Sequence, residues 1–433
     1  MQNWSGYLQW RPAQVFYPKS EAEVVQIVQD AATAGRRIRA IGSGHSFTAL
    51  CPTHDVMVSL DRYQGITAID PHTGLVTVRA GTKLRRLSEL LDALGLALEN
   101  LGDIDVQSIA GALATGTHGT GTAFGNLCTQ VRALKFVNGR GELVSCSAAE
   151  NPGLFRAAVL SLGALGIVTE VTLQCVPAYN LSLKVAKRRL EEVLENLPQY
   201  NAENRHFEFY WFPHTPYVMT KTVNLTDAPP DPDTFKNYLQ EMLLENYAFL
   251  AICELAYRLP ALTRPISRFA AATVGAYHKQ KKSYDVFSTA RIVRFNEMEY
   301  NVPADAYAEV KKELTHWINR RKYNVMFPLE NRFVRADDLY LSPANGRDSA
   351  YIAAHVYHKQ DFHKYFDELE AIFLAHAGRP HWGKLHKLSH SDFAERYPGW
   401  EAFHAQRARH DPQGLFLNPH LQFIFGPDAP AQL

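Results

Sequence analysis

Three small groups of residues could do chemistry. The first is the run Ile41-Gly42-Ser43-Gly44-His45-Ser46-Phe47, in which two glycines flank a serine and a histidine follows at once. Glycines let a chain turn tightly and bring its N–H groups close to an anionic ligand. The histidine then stands where a bound cofactor would lie, within reach of a bond to it; the other reading is an ordinary turn capped by a histidine. The run lacks the third glycine of the dinucleotide fingerprint, and no amphipathic helix begins after it. The second group is Glu330 and Arg332, which alternate on an expected strand and therefore share a face. A carboxylate beside a guanidinium suits hydroxyl binding and proton removal, or it is a plain structural ion pair. The third is Lys384, in the rigid context Pro380-His381-Trp382-Gly383, an electropositive group for a substrate oxygen unless it is a surface lysine. His355, on the alternating run 351–358, is a further hydrogen-bonding candidate or a structural histidine.

A second glycine-rich stretch, 101–121, holds Ser108, Gly111, Thr115, Gly116, Thr117, His118 and Gly119 with hardly a charge. Small residues uncover the backbone, so a flat or phosphorylated ligand can lie against it while hydroxyls and amides supply hydrogen bonds. The same composition also serves tight helix–strand packing. The two loops together point to ligand binding more specifically than either does alone.

The elements that must position these groups can be read from pattern. Ser20-x-x-Glu23 is a capping box before an apolar helical face that Gly35 ends. Strands are expected at 36–41, 56–60 and 75–79, and a second amphipathic helix runs from about Thr82 to Gly95. A hairpin follows, 131–137 and 142–146 about an Asn-Gly-Arg-Gly turn, then an alternating strand over 167–173. Past Pro177 the texture becomes aromatic. Strands return near 290–300, 323–335 and 349–358, mixed with helices near 304–320 and 361–376, an antiparallel sheet with helices.

At 433 residues the chain exceeds the size of a single core, so two domains are expected. A formal net charge of +1 with no basic run points away from nucleic acid. The five cysteines are scattered without a C-x-x-C, which favours a reducing, cytoplasmic setting and no disulfide framework. The 18 histidines show no H-E-x-x-H spacing, so no metal is expected. The first residues carry neither a charged nor an apolar leader region, so no secretory signal is expected. Apolar runs over 238–276 are broken by Glu241, Glu245, Glu254, Arg258, Arg264 and Arg268, short of the roughly 20 residues a span needs. Helices with an apolar contact face fit better there, and peripheral membrane contact stays open.

The combination of Gly42-Ser43-Gly44-His45-Ser46, Gly116-Thr117-His118-Gly119, Pro328-Leu329-Glu330-Asn331-Arg332, Leu341-Ser342-Pro343 and Arg379-Pro380-His381-Trp382-Gly383-Lys384 resembles a known family. It is the sugar-lactone and alditol oxidase branch of the vanillyl-alcohol-oxidase flavoproteins, with a PCMH-type FAD-binding fold. The likeness runs nearly end to end. It implies a two-lobed α+β architecture, in which residues 1–177, rejoined by 378–433, bind FAD and an antiparallel-sheet cap, 178–377, covers the flavin. It implies FAD joined covalently through its 8α carbon to His45, with Ile41, Ser43, Ile167 and Val168 among the cofactor contacts. Ser108, Glu297, Glu330, Arg332, His355 and Lys384 are the implied substrate contacts, with Glu330, Arg332 and Lys384 catalytic. The implied reaction is oxidation of an L-gulono-, L-galactono- or D-arabinono-1,4-lactone, with dioxygen giving hydrogen peroxide. Trp211-Phe212-Pro213-His214-Thr215 and Glu297 lean to the lactone side; the alternatives are an alditol such as xylitol or sorbitol, a lactone dehydrogenase with another acceptor, or a carrier of FAD without turnover.

Overall fold

The computed structural model describes residues 1–232, 247–288 and 292–426. Two sheets are built before Pro177. Gln14–Phe16, Val56–Ser59 and Ile38–Ile41 form a three-stranded parallel sheet with Val56–Ser59 in the centre. Ile66–Asp70, Leu75–Arg79, Gly166–Gln174, Val131–Asn138 and Leu143–Ser147 form a five-stranded antiparallel sheet in that order. Gly166–Gln174 alternates buried and half-buried positions, as a strand with one covered face should.

The expected helices have their reasons in local chemistry. Ser20 caps Glu21–Thr33 by accepting from the Glu23 N–H, and Gly35 leaves the helix at φ +65°. The Glu23 carboxylate reaches back one residue further than a capping box requires, to the Lys19 N–H at 2.9 Å. Helix Leu84–Ala93 buries Leu84, Leu87 and Leu91 and ends before Gly95. The stretch read as loop over 101–121 contains a short helix, Ile109–Ala114, which Ser108 caps by accepting from Gly111 N–H. Low charge and many small residues hid its apolar face.

An eight-stranded antiparallel sheet follows. Its order is Tyr277–Lys282, Asn180–Arg189, Tyr217–Thr226, His206–Trp211, Leu329–Val334, Ser349–Tyr357, Phe295–Pro303 and Arg379–Pro380. The strand expected over 323–335 is shorter than its apolar run. Leu329–Val334 and Ser349–Tyr357 are buried at every position, so both faces are covered. One face takes helices: Tyr307–Arg321 packs there, its Tyr307 hydroxyl donating to Asn331 Oδ1 at 2.8 Å. The other face carries Glu330 and Arg332.

The C-terminal segment returns to the first sheets, where Asn418 Nδ2 donates to the carbonyls of Ala49 and Pro52 and Leu415 O accepts from Ile38 N–H. Parts of two expectations, 238–246 and 290–291, lie outside the described residues. The rest of the apolar block forms helices Phe249–Arg258 and Thr263–Thr273. Among the described residues no helix is long and apolar enough to cross a membrane. All five cysteines are free.

Candidate active site

A cavity runs along the first glycine loop. Ile41, Gly42, Ser43, Gly44, His45 and Ser46 line it on one side, Ser108, Gly111 and Thr115 on another, with Ile167 and Val168 from the central strand. The space depends on missing side chains. A Cβ at Gly42 would meet Ser108 Oγ at 2.5 Å, and one at Gly111 would meet the same oxygen at 3.0 Å. Gly44 turns at φ +68°.

Arg39, which sequence reading took for an ordinary strand residue, pins this wall. Its buried guanidinium donates to four carbonyls, those of Leu50, Leu162, Gly163 and Phe416, at 2.6–3.0 Å. Burial lowers its pKa to about 10. Ser43 Oγ accepts from Lys83 Nζ at 2.9 Å, and Lys83 also pairs with Asp61 at 2.8 Å.

His45 stacks on Trp4, ring centroids 5.6 Å apart. Burial, then the positive charges of Lys384 and Lys83, lower its pKa to about 4, against a weaker pull from Glu297. The imidazole is therefore neutral near pH 7, and a lone pair on nitrogen is available.

The second glycine-rich stretch divides at Gly116. The helix ends there at φ +71°, and the chain turns away from the cavity wall. Gly116, Thr117, His118 and Gly119, expected at the cofactor, do not line this cavity. Thr117 and His118 line a second, polar cavity instead, and Gly119 packs its bare face on Leu101 O. Gln107 lines both cavities, so they adjoin there. Ser108, expected at the substrate, stands on the first cavity's side, its oxygen engaged with Gly111 N–H.

The polar cavity is assembled by strand register. Glu297 lies opposite His355, Glu299 opposite Ala353, and Ala353 opposite Glu330, which lies opposite Tyr210. Alternation then puts Glu297, Glu299, Glu330, Arg332 and His355 on one face. Lys384 arrives from the chain after the edge strand and pairs with Glu297 Oε2 at 2.5 Å; His355 Nε2 is 3.5 Å from the other oxygen. Arg332 pairs with Glu330, with Glu208 at 2.9 Å and with Asp103 at 3.7 Å. The Tyr210 hydroxyl donates to Glu330 Oε1 at 2.7 Å, and Lys221 pairs with Glu208 at 2.9 Å.

Burial acts against the Glu208 and Glu297 carboxylates, and the cations outweigh it. Lys221 and Arg332 hold Glu208 well below its ordinary range, as Lys384 and His355 do for Glu297. Both are ionised near neutral pH. Burial pushes the His381 pKa down to about 3, so that ring is neutral. His118 Nδ1 faces Gly119 O at 2.9 Å and Nε2 faces Glu299 at 3.1 Å, while the ring stacks on Tyr351. A neutral ring can donate to only one of those oxygens.

Sequence reading missed Asp103, Gln107, Glu208, Tyr210, Lys221, Glu299 and His381. Glu299 was within reach, since it stands two positions from Glu297 on an expected strand; Glu208 and Tyr210 lie in an aromatic run for which no strand was expected. It also missed the grouping of His118, Glu299 and His381, whose ligand-type atoms lie within 4.8 Å of one another.

A family model described as D-arabinono-1,4-lactone oxidase matches residues 171–424, more than half the chain. The chain belongs to that family. A second model, described as an FAD binding domain, matches residues 12–147 and takes in both glycine-rich stretches. The family's relatives extend the match end to end. The L-gulono-1,4-lactone dehydrogenase of Mycobacterium tuberculosis (strain ATCC 25618 / H37Rv) is 40% identical over 98% of this chain and 99% of its own length. The L-gulonolactone oxidase of Scyliorhinus torazame is 33% identical over 98% of both chains. A solved cholesterol oxidase from B. sterolicum superposes with a TM-score of 0.81 at 19% identity, covering 98% of this chain and 96% of that one, which speaks for the fold alone. The first cavity's bare backbone at Gly42 and Gly111 fits FAD.

Proposed function

We propose that this chain oxidises an aldono-1,4-lactone with FAD as its cofactor. The observation that carries the reading is the joining, at Gln107, of the glycine-walled cavity to the charged one that holds Glu330, Arg332 and Lys384. Bound FAD supplies a two-electron acceptor, taking a hydride from the substrate CH–OH. The chain's own residues supply the rest. Glu330 takes the hydroxyl proton, oriented by Arg332 and by the Tyr210 hydroxyl. Lys384 offers its ammonium to the substrate oxygen or to charge developing on the cofactor, and Glu297, with His355 beside it, aims that ammonium. A lactone ring with several hydroxyls matches a cavity rich in carboxylates and cations.

We further infer a covalent bond between His45 and the flavin 8α carbon; a neutral imidazole at that wall is the group such a bond requires. Residues 1–177 with 378–433 hold the cofactor in this reading, and 178–377 form the cap. Dioxygen is the proposed acceptor, reached past the small side chains of 108–114, and free cysteines agree with a reducing, cytoplasmic setting.

The test is a panel of L-gulono-, L-galactono- and D-arabinono-1,4-lactone against xylitol and sorbitol, with oxygen consumption and dye reduction followed in parallel. Lactone-driven bleaching of the flavin supports the proposal. Bleaching by polyols alone, or by neither class, removes it. The covalent tie has its own check: the denatured band should fluoresce in a gel, and His45→Ala should abolish that signal while leaving FAD that acid releases.

A further inference from the structure

A third cavity shares no lining residue with the two described above. It lies on the cap, between the start of helix Leu190–Glu195, the turn at His214–Pro216 and helices Thr263–Thr273 and Tyr307–Arg321. Four cations line it, Arg189, Arg264, Arg268 and Lys322, against one carboxylate, Glu191. They come from three separate elements, the end of strand Asn180–Arg189, helix Thr263–Thr273 and the C-cap of helix Tyr307–Arg321, so their convergence belongs to the fold and not to one basic run. Among the described residues these four make no ion pair and no side-chain hydrogen bond.

We propose that this cavity is a binding site for a phosphate group. Uncompensated guanidinium forks suit phosphate oxygens, which they can grip through paired N–H donors, and a cleft concentrates their field. The pocket is also prepared for a ligand in two further ways. Thr315 Oγ1 is buried there without a partner. His214 is held in the left-handed region at φ +63°, its Nε2 2.7 Å from Tyr323 O. Such a conformation is strained for a non-glycine residue and persists only where surroundings enforce it. Burial and then the two arginines of the Thr263–Thr273 helix lower the His214 pKa, which registers the positive field.

The phosphate has two possible sources with one chemistry. It can arrive on a soluble ester, or on a lipid headgroup, for which the exposed Leu259 and Leu262, in the link before helix Thr263–Thr273, and Phe269 on that helix offer apolar contacts, Phe269 being 64% exposed.

The experiment uses the FAD-loaded enzyme. Calorimetry with inorganic phosphate and pyrophosphate forms one arm; flotation with phosphatidylcholine vesicles, with and without phosphatidic acid, forms the other. Arg264→Glu/Arg268→Glu should weaken binding at least about tenfold in whichever arm is positive, as loss of charge-assisted bonds requires. Arg189→Glu/Lys322→Glu, on other elements, should do the same if the first pair folds poorly. Phe269→Ser should weaken vesicle binding alone if the source is lipid. Lactone turnover should be unchanged in all three. Binding in neither arm, or binding that the charge reversals leave intact, overturns the proposal.

Discussion

Replacing Lys384 with methionine keeps most of the side chain's length and removes its charge. Lys384 is the foremost of the attractions that hold the buried Glu297 ionised, pairing with it at 2.5 Å. Breaking a fully buried pair costs about 3–5 kcal/mol. The Lys384 side chain is 21% exposed, so water screens part of that, and about 2–3 kcal/mol is the reasonable share. If that interaction is made to charge developing in the reaction, flavin reduction slows on the order of 100-fold, comparable to losing one oxyanion donor. Anaerobic stopped-flow bleaching of the flavin by a lactone measures this step apart from reoxidation. A second variant separates chemistry from scaffolding. Lys384→Met/Glu297→Gln removes the stranded carboxylate, so it should recover the melting temperature lost in the single variant without recovering the reduction rate. A single variant that reduces within a few-fold of the wild type would show that Lys384 serves only the fold.

Tyr210→Phe deletes the 2.7 Å donor to Glu330 and leaves the ring; flavin reduction, followed by anaerobic stopped flow, should fall about tenfold or more. Gly42→Ala should cut FAD content, because its Cβ meets Ser108 Oγ at 2.5 Å, and Gly42→Ala/Ser108→Ala should restore it at about 1 kcal/mol of stability for the lost cap. Normal FAD content in Gly42→Ala would contradict the placement of the cofactor wall. Lys311 is buried over the Trp211 ring at 4.9 Å, and burial lowers its pKa from 10.5 to about 7. Between those values the unfolded chain binds the extra proton, so stability rises with pH across that window and the full penalty applies below it. Lys311→Met should therefore stabilise the protein near pH 7, by as much as about 5 kcal/mol, with the gain shrinking toward pH 10. Denaturant melts at several pH values check both size and slope.

The local chemistry of the chain was legible in its letters. The Ser20 cap, the Gly35 and Gly95 stops, the hairpin and the shared face of Glu330 and Arg332 each depend on residues a few positions apart, where backbone sterics and periodicity act directly. The glycine run at 42–44 also carried its meaning locally, because a missing Cβ leaves space wherever the loop goes. The 101–121 stretch was only partly legible for the same reason. Its composition says that backbone is bare, but the turn at Gly116 decides which half lines the first cavity and which the polar one.

What the sequence determined alone was which side chains point together along each strand. What only the tertiary structure decided was which strands adjoin. Glu208 and Arg332, 124 residues apart, meet because His206–Trp211 pairs with Leu329–Val334, and Lys384 reaches Glu297 across 87 residues of chain. Antiparallel pairing is set by backbone hydrogen bonds that every residue offers alike, so no letter names its partner strand. The buried charges that make the site follow from that choice, since each carboxylate stays ionised only where the fold brings it a cation.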